Sequence, residues 1–450
     1  MVVKGGNAGA GSVGPAHLLS VAAAVLAALA PAAAPAAKTA PSYRSAEGQV
    51  AEWRDYRGAE QLWVQDGQIR PEALRLIELV RTAEVDGLNP DAYRIRTLER
   101  AVRDAESGQP KALARADQLL SQTLVAFARD MRTLKSREMI WADPAAFPTL
   151  PSTGLLLESA VKAKSLSDWL DRMPWMNPVY GPLREALLNA ADPQQAAVLK
   201  VNLERAKALP GALQGGRYVL VDAGAARLFM MDNGEVKGTM RVIVGRLDNQ
   251  TPMMAGMIRY AILNPYWNVP PDLAATRLAP NVLKIGPSWF RKYHYQVLSD
   301  WTDQARPIDP MSIDWHAVAE GKVPNLRMRQ LPWSGNSMGT VKFMFPNEMG
   351  IYLHDTDNKS LFDEPARQIS GGCVRLQDAR KLAVWLFGKP LKATSAKPEQ
   401  RVAVPKPVPV YITYLTAAPE NGEIAYRDDF YNRDGFGVHG TPQGTAAKAG

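Results

Sequence analysis

RYVLVDAGAARLFMMDNGEVKGTMRVIV, residues 217–244, is where the texture of the chain changes. Arg217-Tyr218-Val219-Leu220-Val221 is an apolar run, and Ala225 to Met231 is a second. Asp232-Asn233-Gly234 between that run and Glu235 to Val244 is a hairpin signal, because these residues tolerate positive φ at little cost. Further strands are predicted at Met257 to Leu263 and Gly339 to Phe345. Another is predicted at Ile351-Tyr352-Leu353-His354, after the turn Asn347-Glu348-Met349-Gly350, and a closing strand at Val408 to Leu415. Short strands joined by tight turns predict a mainly β domain over residues 215–434. Within it, Asp378 is placed to cap a helix whose apolar face is Leu382, Val384 or Trp385, and Leu386. The β pattern lapses over 286–338, where Trp289, Trp301, Trp315 and Trp333 argue against disorder. A long insertion of that kind reads as a lid over a site, with a purely structural excursion as the alternative.

Upstream, from Trp53 to about Arg205, the period is helical. Leu74, Ile77 and Val80 or Val85 fall near helical spacing before Gly87-Leu88-Asn89-Pro90 ends the run. Leu113, Ala116, Leu120, Leu124, Phe127 and Met131 keep the rhythm further on. A helical scaffold over 51–205 followed by the β domain makes the expected fold class α+β, and 450 residues are too many for one typical core. Residues 38–50, polar and proline-containing, read as a linker. The glycine-, alanine- and lysine-rich residues 435–450 read as a disordered tail.

The first 37 residues read as a signal peptide. Lys4 precedes a short apolar run, Leu18 to Ala30, and small residues with Ala-x-Ala sites follow. The run is shorter than the roughly 18 apolar residues a membrane helix needs, and an uncleaved anchor is the alternative to a cleaved signal. Export to the periplasm is the expected address. A net charge of +8 suits anionic surfaces such as cell-wall carboxylates. No basic run interleaved with aromatics appears, so nucleic acid is not an expected partner.

Export makes Cys373, the single cysteine, informative: no disulfide is possible within the chain, and an unpaired thiol in an oxidising compartment is a candidate nucleophile. It stands in Ser370-Gly371-Gly372-Cys373-Val374-Arg375, downstream of Tyr352-Leu353-His354-Asp355-Thr356. A free thiol ionises near pH 8.5, so it needs a base, and His354 can take its proton and return it to a leaving amine. Gly371 and Gly372 leave bare backbone whose N–H groups could hold an oxyanion. The alternative is a small buried hydrophobe. A calcium loop starting at Asp355 fails because Ser360 stands where glycine is needed and Ala366 where glutamate is needed. One cysteine and one nearby histidine do not make a zinc site, so no metal and no cofactor are expected.

At these residues the chain resembles the L,D-transpeptidases with a YkuD-type catalytic domain, in their long Gram-negative branch. The resemblance rests on His354-Asp355-Thr356 followed by Ser370-Gly371-Gly372-Cys373-Val374-Arg375. It extends to Asn264-Pro265-Tyr266-Trp267-Asn268-Val269-Pro270, Gly339 to Asn347, Arg427-Asp428-Asp429, Asp86 to Pro90 and Asn202 to Arg205. It implies that Cys373 attacks the carbonyl of the third residue of a peptidoglycan tetrapeptide stem and expels D-alanine. The thioester would then pass to an amine of a neighbouring stem, giving a 3→3 cross-link. It further implies His354 as base and acid, the Gly372 and Cys373 N–H groups as oxyanion donors, and a carbonyl of Ser370 or Gly371 orienting the histidine. Arg375, Tyr352 and Thr356 are implied as substrate-binding, and the segment 286–338 as the branch's capping region. Stem peptides as donor and acceptor, a monomeric state and other cell-wall enzymes as neighbours are the expected partners. The separate wall-binding module often carried by the branch has no room between Asn189 and Asn202. The nucleophile motif alone leaves an L,D-carboxypeptidase open, with water as acceptor, and a non-catalytic wall-binding protein is the alternative of another class.

Overall fold

The computed structural model describes residues 43–57, 61–134 and 136–435. The predicted signal peptide and the tail from 436 onward lie outside these residues, as does the first part of the predicted linker. The described part of that linker is not one. Tyr43–Arg57 is a helix, α1, and it buries Ala46, Val50 and Trp53 at helical spacing against two later helices. Polar residues on its outer face hid that stripe from a reading by composition.

The helical region continues with α2 (Glu72–Arg81), α3 (Ile95–Ala105), α4 (Pro110–Met131), α5 (Thr153–Val161), α6 (Leu166–Arg172), α7 (Tyr180–Leu188) and α8 (Pro193–Lys207). Pro110 and Pro193 open their helices, where a missing N–H costs nothing. Ser152, Ser165 and Asp192 cap α5, α6 and α8 with side-chain oxygens. In α4, Leu113, Ala116, Leu120, Leu124, Phe127 and Met131 are all buried, as their spacing predicts. In α2 the stripe is Ala73, Leu76, Ile77 and Val80, while Leu74 is 62% exposed. A core-facing helix needs i, i+3, i+4 and i+7, and only the stripe starting at Ala73 supplies all four. The turn ending at Gly87 is held by a buried charge network. Asp86 receives Arg184 Nε at 3.0 Å and the Tyr180 hydroxyl at 2.9 Å, and its carbonyl receives Lys207 Nζ at 2.7 Å.

The β region starts with β1 (Arg217–Asp222), β2 (Arg227–Asp232), β3 (Glu235–Gly245) and β4 (Met254–Leu263). A unit with its own small sheet and core follows at the expected cap, with β5 (Trp267–Val269), α9 (Ala279–Ile285), α10 (Ser288–Lys292), β6 (Tyr295–Leu298), β7 (Pro307–Ile308), α11 (Trp315–Ala319) and β8 (Arg327–Gln330). The chain then returns through β9 (Val341–Met344), β10 (Leu353–His354), β11 (Gln368–Ser370), β12 (Val374–Leu376), α12 (Ala379–Phe387) and β13 (Gln400–Thr413). It ends on the hairpin β14 (Ala417–Glu420) and β15 (Glu423–Tyr426).

The main sheet runs β9-β10-β12-β3-β2-β1-β13-β4, and β4 pairs with β9 as well, so the sheet closes on itself. Closure removes the exposed edges that an open antiparallel sheet would leave. Its core gathers Val219, Leu228, Val242, Ile258, Phe343, Leu353, Val374 and Ile412 with Leu382 and Leu386 of α12. Asp378 caps α12 on Lys381 N, and Val384 of the expected apolar face is exposed.

Two boundaries move. The cap begins near Trp267 and not at 286, because β5 pairs with β8 and Val269, Leu273 and Leu278 join the cap's own core. Inside the cap the β pattern does not lapse: β7-β6-β8-β5 form an antiparallel sheet. Strands of two to four residues are too short for alternation to show. The C-terminal hairpin returns to the helices, with Ala417 buried in their core.

Candidate active site

Strand register assembles the site. β10 and β12 run parallel, with Leu353 opposite Val374 and His354 opposite Arg375. Side chains alternate faces along a strand, so Tyr352 and His354 share a face with Cys373 and Arg375 on the neighbouring strand. On the other side, β9 sets Lys342 opposite His354, adding it to the same face. The Tyr352 and His354 rings meet edge to face at 5.7 Å.

His354 is 2% exposed. Its Nδ1 lies 2.5 Å from the Asp355 carbonyl, which can only accept, so Nδ1 carries the proton and Nε2 is left as the basic nitrogen. The orienting carbonyl is therefore that of Asp355, and neither Ser370 nor Gly371 supplies it. Burial, then the Arg375 charge, push the imidazole down to about 3. It is neutral at pH 7 and able to accept a proton. The Asp355 carboxyl is half-buried, which raises its pKa, yet Lys359 at 2.6 Å and the Thr340 N–H and hydroxyl at 2.9 Å hold it below the usual carboxylate range.

Cys373 is partly exposed. Burial of the sulfur pushes the thiol up to about 11, against hydrogen bonds from the Tyr352 backbone and hydroxyl and the charges of Arg375 and Lys342. At rest the thiol and the imidazole are both neutral. Sγ lies 3.7 Å from the Gly350 carbonyl, and no hydrogen bond joins it to His354 among the described residues. Catalytic hydrogen bonds are often long before substrate arrives.

Ser370 turns out to clamp the loop that carries Cys373. Its hydroxyl accepts the Gly372 N–H at 3.1 Å and donates to the Cys373 carbonyl at 2.7 Å. The Gly372 N–H is thus already bonded and is not the oxyanion donor the resemblance implies. The Cys373 N–H, by contrast, meets no acceptor among the described residues. Gly372 sits at φ +110°, a backbone region close to glycine-only, while Gly371 is exposed. Thr356 is 3% exposed and its hydroxyl faces the Asp357 carboxylate at 3.4 Å, so in this state it is turned into the protein.

Arg375 carries a buried Nε with no hydrogen-bond partner among the described residues. Burial first, then the charge of Arg277, lower its pKa, while Asp357 and Cys373 oppose them. Arg277 belongs to the cap, on a π-helical turn (Ala274–Leu278), the kind of irregular turn that recurs at functional sites. Two guanidiniums near an unpartnered donor suit an anionic group. Lys342, 7% exposed and 3.3 Å from Glu399, is a third cation of the site.

Sequence reasoning missed Lys342 and Arg277. Lys342 left a signal, a lone charge inside the apolar strand Val341-Lys342-Phe343. Arg277 left none, since a π turn has no sequence period of its own.

Comparison with known families adds a finding. The family model of the YkuD L,D-transpeptidase catalytic domain matches residues 216–394, and a scaffold-domain model matches residues 53–187. The chain carries an L,D-transpeptidase catalytic domain. A protein of Haemophilus influenzae named "Putative L,D-transpeptidase" is 29% identical over 287 residues, 61% of this chain and 57% of that protein. The match thus spans little more than half of that relative's length. Faint likenesses join two solved structures. The L,D-transpeptidase from Mycobacterium smegmatis is 12% identical over 45% of this chain and 60% of its own, with a TM-score of 0.21. Mycobacterium tuberculosis L,D-transpeptidase 1 is 11% identical over 45% of this chain and 63% of its own, with a TM-score of 0.18. The α+β architecture, helices followed by a mainly β YkuD-type domain, is as expected.

Proposed function

We propose that this L,D-transpeptidase acts in the periplasm after removal or anchoring of residues 1–37, and forms 3→3 peptidoglycan cross-links through a thioester on Cys373. The observation that carries the reading is the shared face of Tyr352, His354, Cys373 and Arg375 on two adjacent strands. Sγ leaves the Gly350 carbonyl and gives its proton to His354 Nε2 as it attacks the carbonyl of the third stem residue. The new S–C bond leaves a tetrahedral oxyanion, with the Cys373 N–H as a donor. The C–N bond to D-alanine then breaks, and His354 returns the proton to the departing amine. In the second half an acceptor amine attacks the thioester, the C–S bond breaks, and the proton lost by the amine ends on the thiolate through His354. Arg375, with Arg277 reaching from the cap, suits the carboxylates of the stem. The cap's aromatic core supports exclusion of water, and so transfer over hydrolysis.

The test is incubation with disaccharide tetrapeptide and mass analysis of the products. The expected result is a dimer equal to two tetrapeptides less one D-alanine, lost in Cys373→Ala. Tripeptide alone makes the enzyme an L,D-carboxypeptidase, and unchanged substrate makes it a binder.

A further inference from the structure

After β15 the chain runs behind the nucleophile loop. Arg433 donates from Nη2 to the Thr251 carbonyl at 3.0 Å and from Nε to Gln250 Oε1 at 2.9 Å. Gln250 Nε2 donates to the Tyr431 carbonyl at 3.2 Å, and the Tyr431 hydroxyl donates to the Gly245 carbonyl at 2.5 Å. These contacts fix Thr251, which is fully buried. Its hydroxyl accepts the Gly245 N–H at 2.8 Å and gives its one proton to the Gly372 carbonyl at 2.7 Å.

That last bond bears on the chemistry because of peptide geometry. The Gly372 C=O and the Cys373 N–H belong to one planar trans peptide unit and point in opposite directions. Whatever grips the carbonyl from behind aims the N–H in front. At φ +110°, Gly372 has the freedom to turn that plane, so the grip is needed. Ser370 holds the neighbouring peptide groups but not this one.

We propose that Thr251 is a positioning residue for acylation: its hydroxyl, held by the Tyr431–Arg433 strap, aims the Cys373 N–H at the oxyanion. The inference rests on the thioester reading above, and the test separates the two. Acylation by a carbapenem passes through a tetrahedral oxyanion. Alkylation by iodoacetamide displaces iodide and needs only the thiol. Thr251→Val should slow carbapenem acylation about 10- to 100-fold, somewhat less than outright removal of an oxyanion donor, with iodoacetamide alkylation within about twofold of wild type. Thr251→Ser, which keeps the hydroxyl, should restore acylation. If Thr251→Val does not fold, Arg433→Gln should show the same selective slowing. Equal loss of both reactions, or undiminished acylation, overturns the inference while leaving the nucleophile standing. Wild-type protein that carbapenem does not acylate at Cys373 overturns the thioester reading and this inference together.

Discussion

At the scale of the residue, the chemistry turns on two neutral groups in place of an ion pair. A thiol held up to about 11 and an imidazole held down to about 3 do not exchange a proton at rest. The rate of alkylation of Cys373 should therefore climb steadily from pH 7 to pH 10, with no plateau near neutrality. A stopped assay with iodoacetamide reads this, and a plateau below pH 7 would mean a preformed thiolate. The same shift has a sign for stability. The unfolded chain binds a proton at His354 near pH 6.5 and the folded chain only near 3, so the unfolded state gains protons first as pH falls. Stability from this group is present above about 6.5 and is lost toward 3. Melting temperature should fall over that window, and less so in His354→Asn. That variant should also lose about 10²- to 10⁴-fold in acylation, the usual worth of a general base.

At the scale of the element, what could be read in the sequence depended on length. Helix α4 was legible because its buried residues repeat over five turns, and α12 because Asp378 stands at its start. The strands from Arg217 to Leu263 were legible from apolar runs and the Asn233-Gly234 turn. The cap was not, since its strands are short and take their partners from far along the chain: Trp267 pairs with Gln330. Helix α1 was missed for another reason, a single narrow stripe among polar residues. At the site, Cys373 and His354 stood out by residue type and context. The hydrogen bonds around them could not be read, because Asp355 acts through its backbone carbonyl and Ser370 bonds backbone groups of the loop, and only the folded chain fixes where those groups lie.

At the scale of the molecule, helices and barrel meet along a buried polar seam. Arg205 of α8 pairs with Asp434 at 2.6 Å, Asp434 accepts from the Thr416 hydroxyl at 2.7 Å, and Thr416 exchanges bonds with Asn202. Arg205 Nη2 also donates to the Arg433 carbonyl. The scaffold thereby grips the strap that reaches Thr251. Both charges of the pair are nearly out of solvent, but Glu138 at 3.0 Å stays as a second, more exposed partner of Arg205, so Asp434→Asn should cost about 1–3 kcal/mol by urea titration, less than breaking an isolated buried pair. The double variant with Arg205→Met should cost less than the sum of the two single changes. Additive losses would show that the two side chains do not act as a pair.

The whole account stands on Cys373 as the nucleophile. Intact-mass spectrometry after exposure to a carbapenem measures that directly. Wild-type protein should gain the mass of one carbapenem, on the peptide that contains Cys373, and Cys373→Ala should gain none. No added mass, or the same addition in Cys373→Ala, would contradict it.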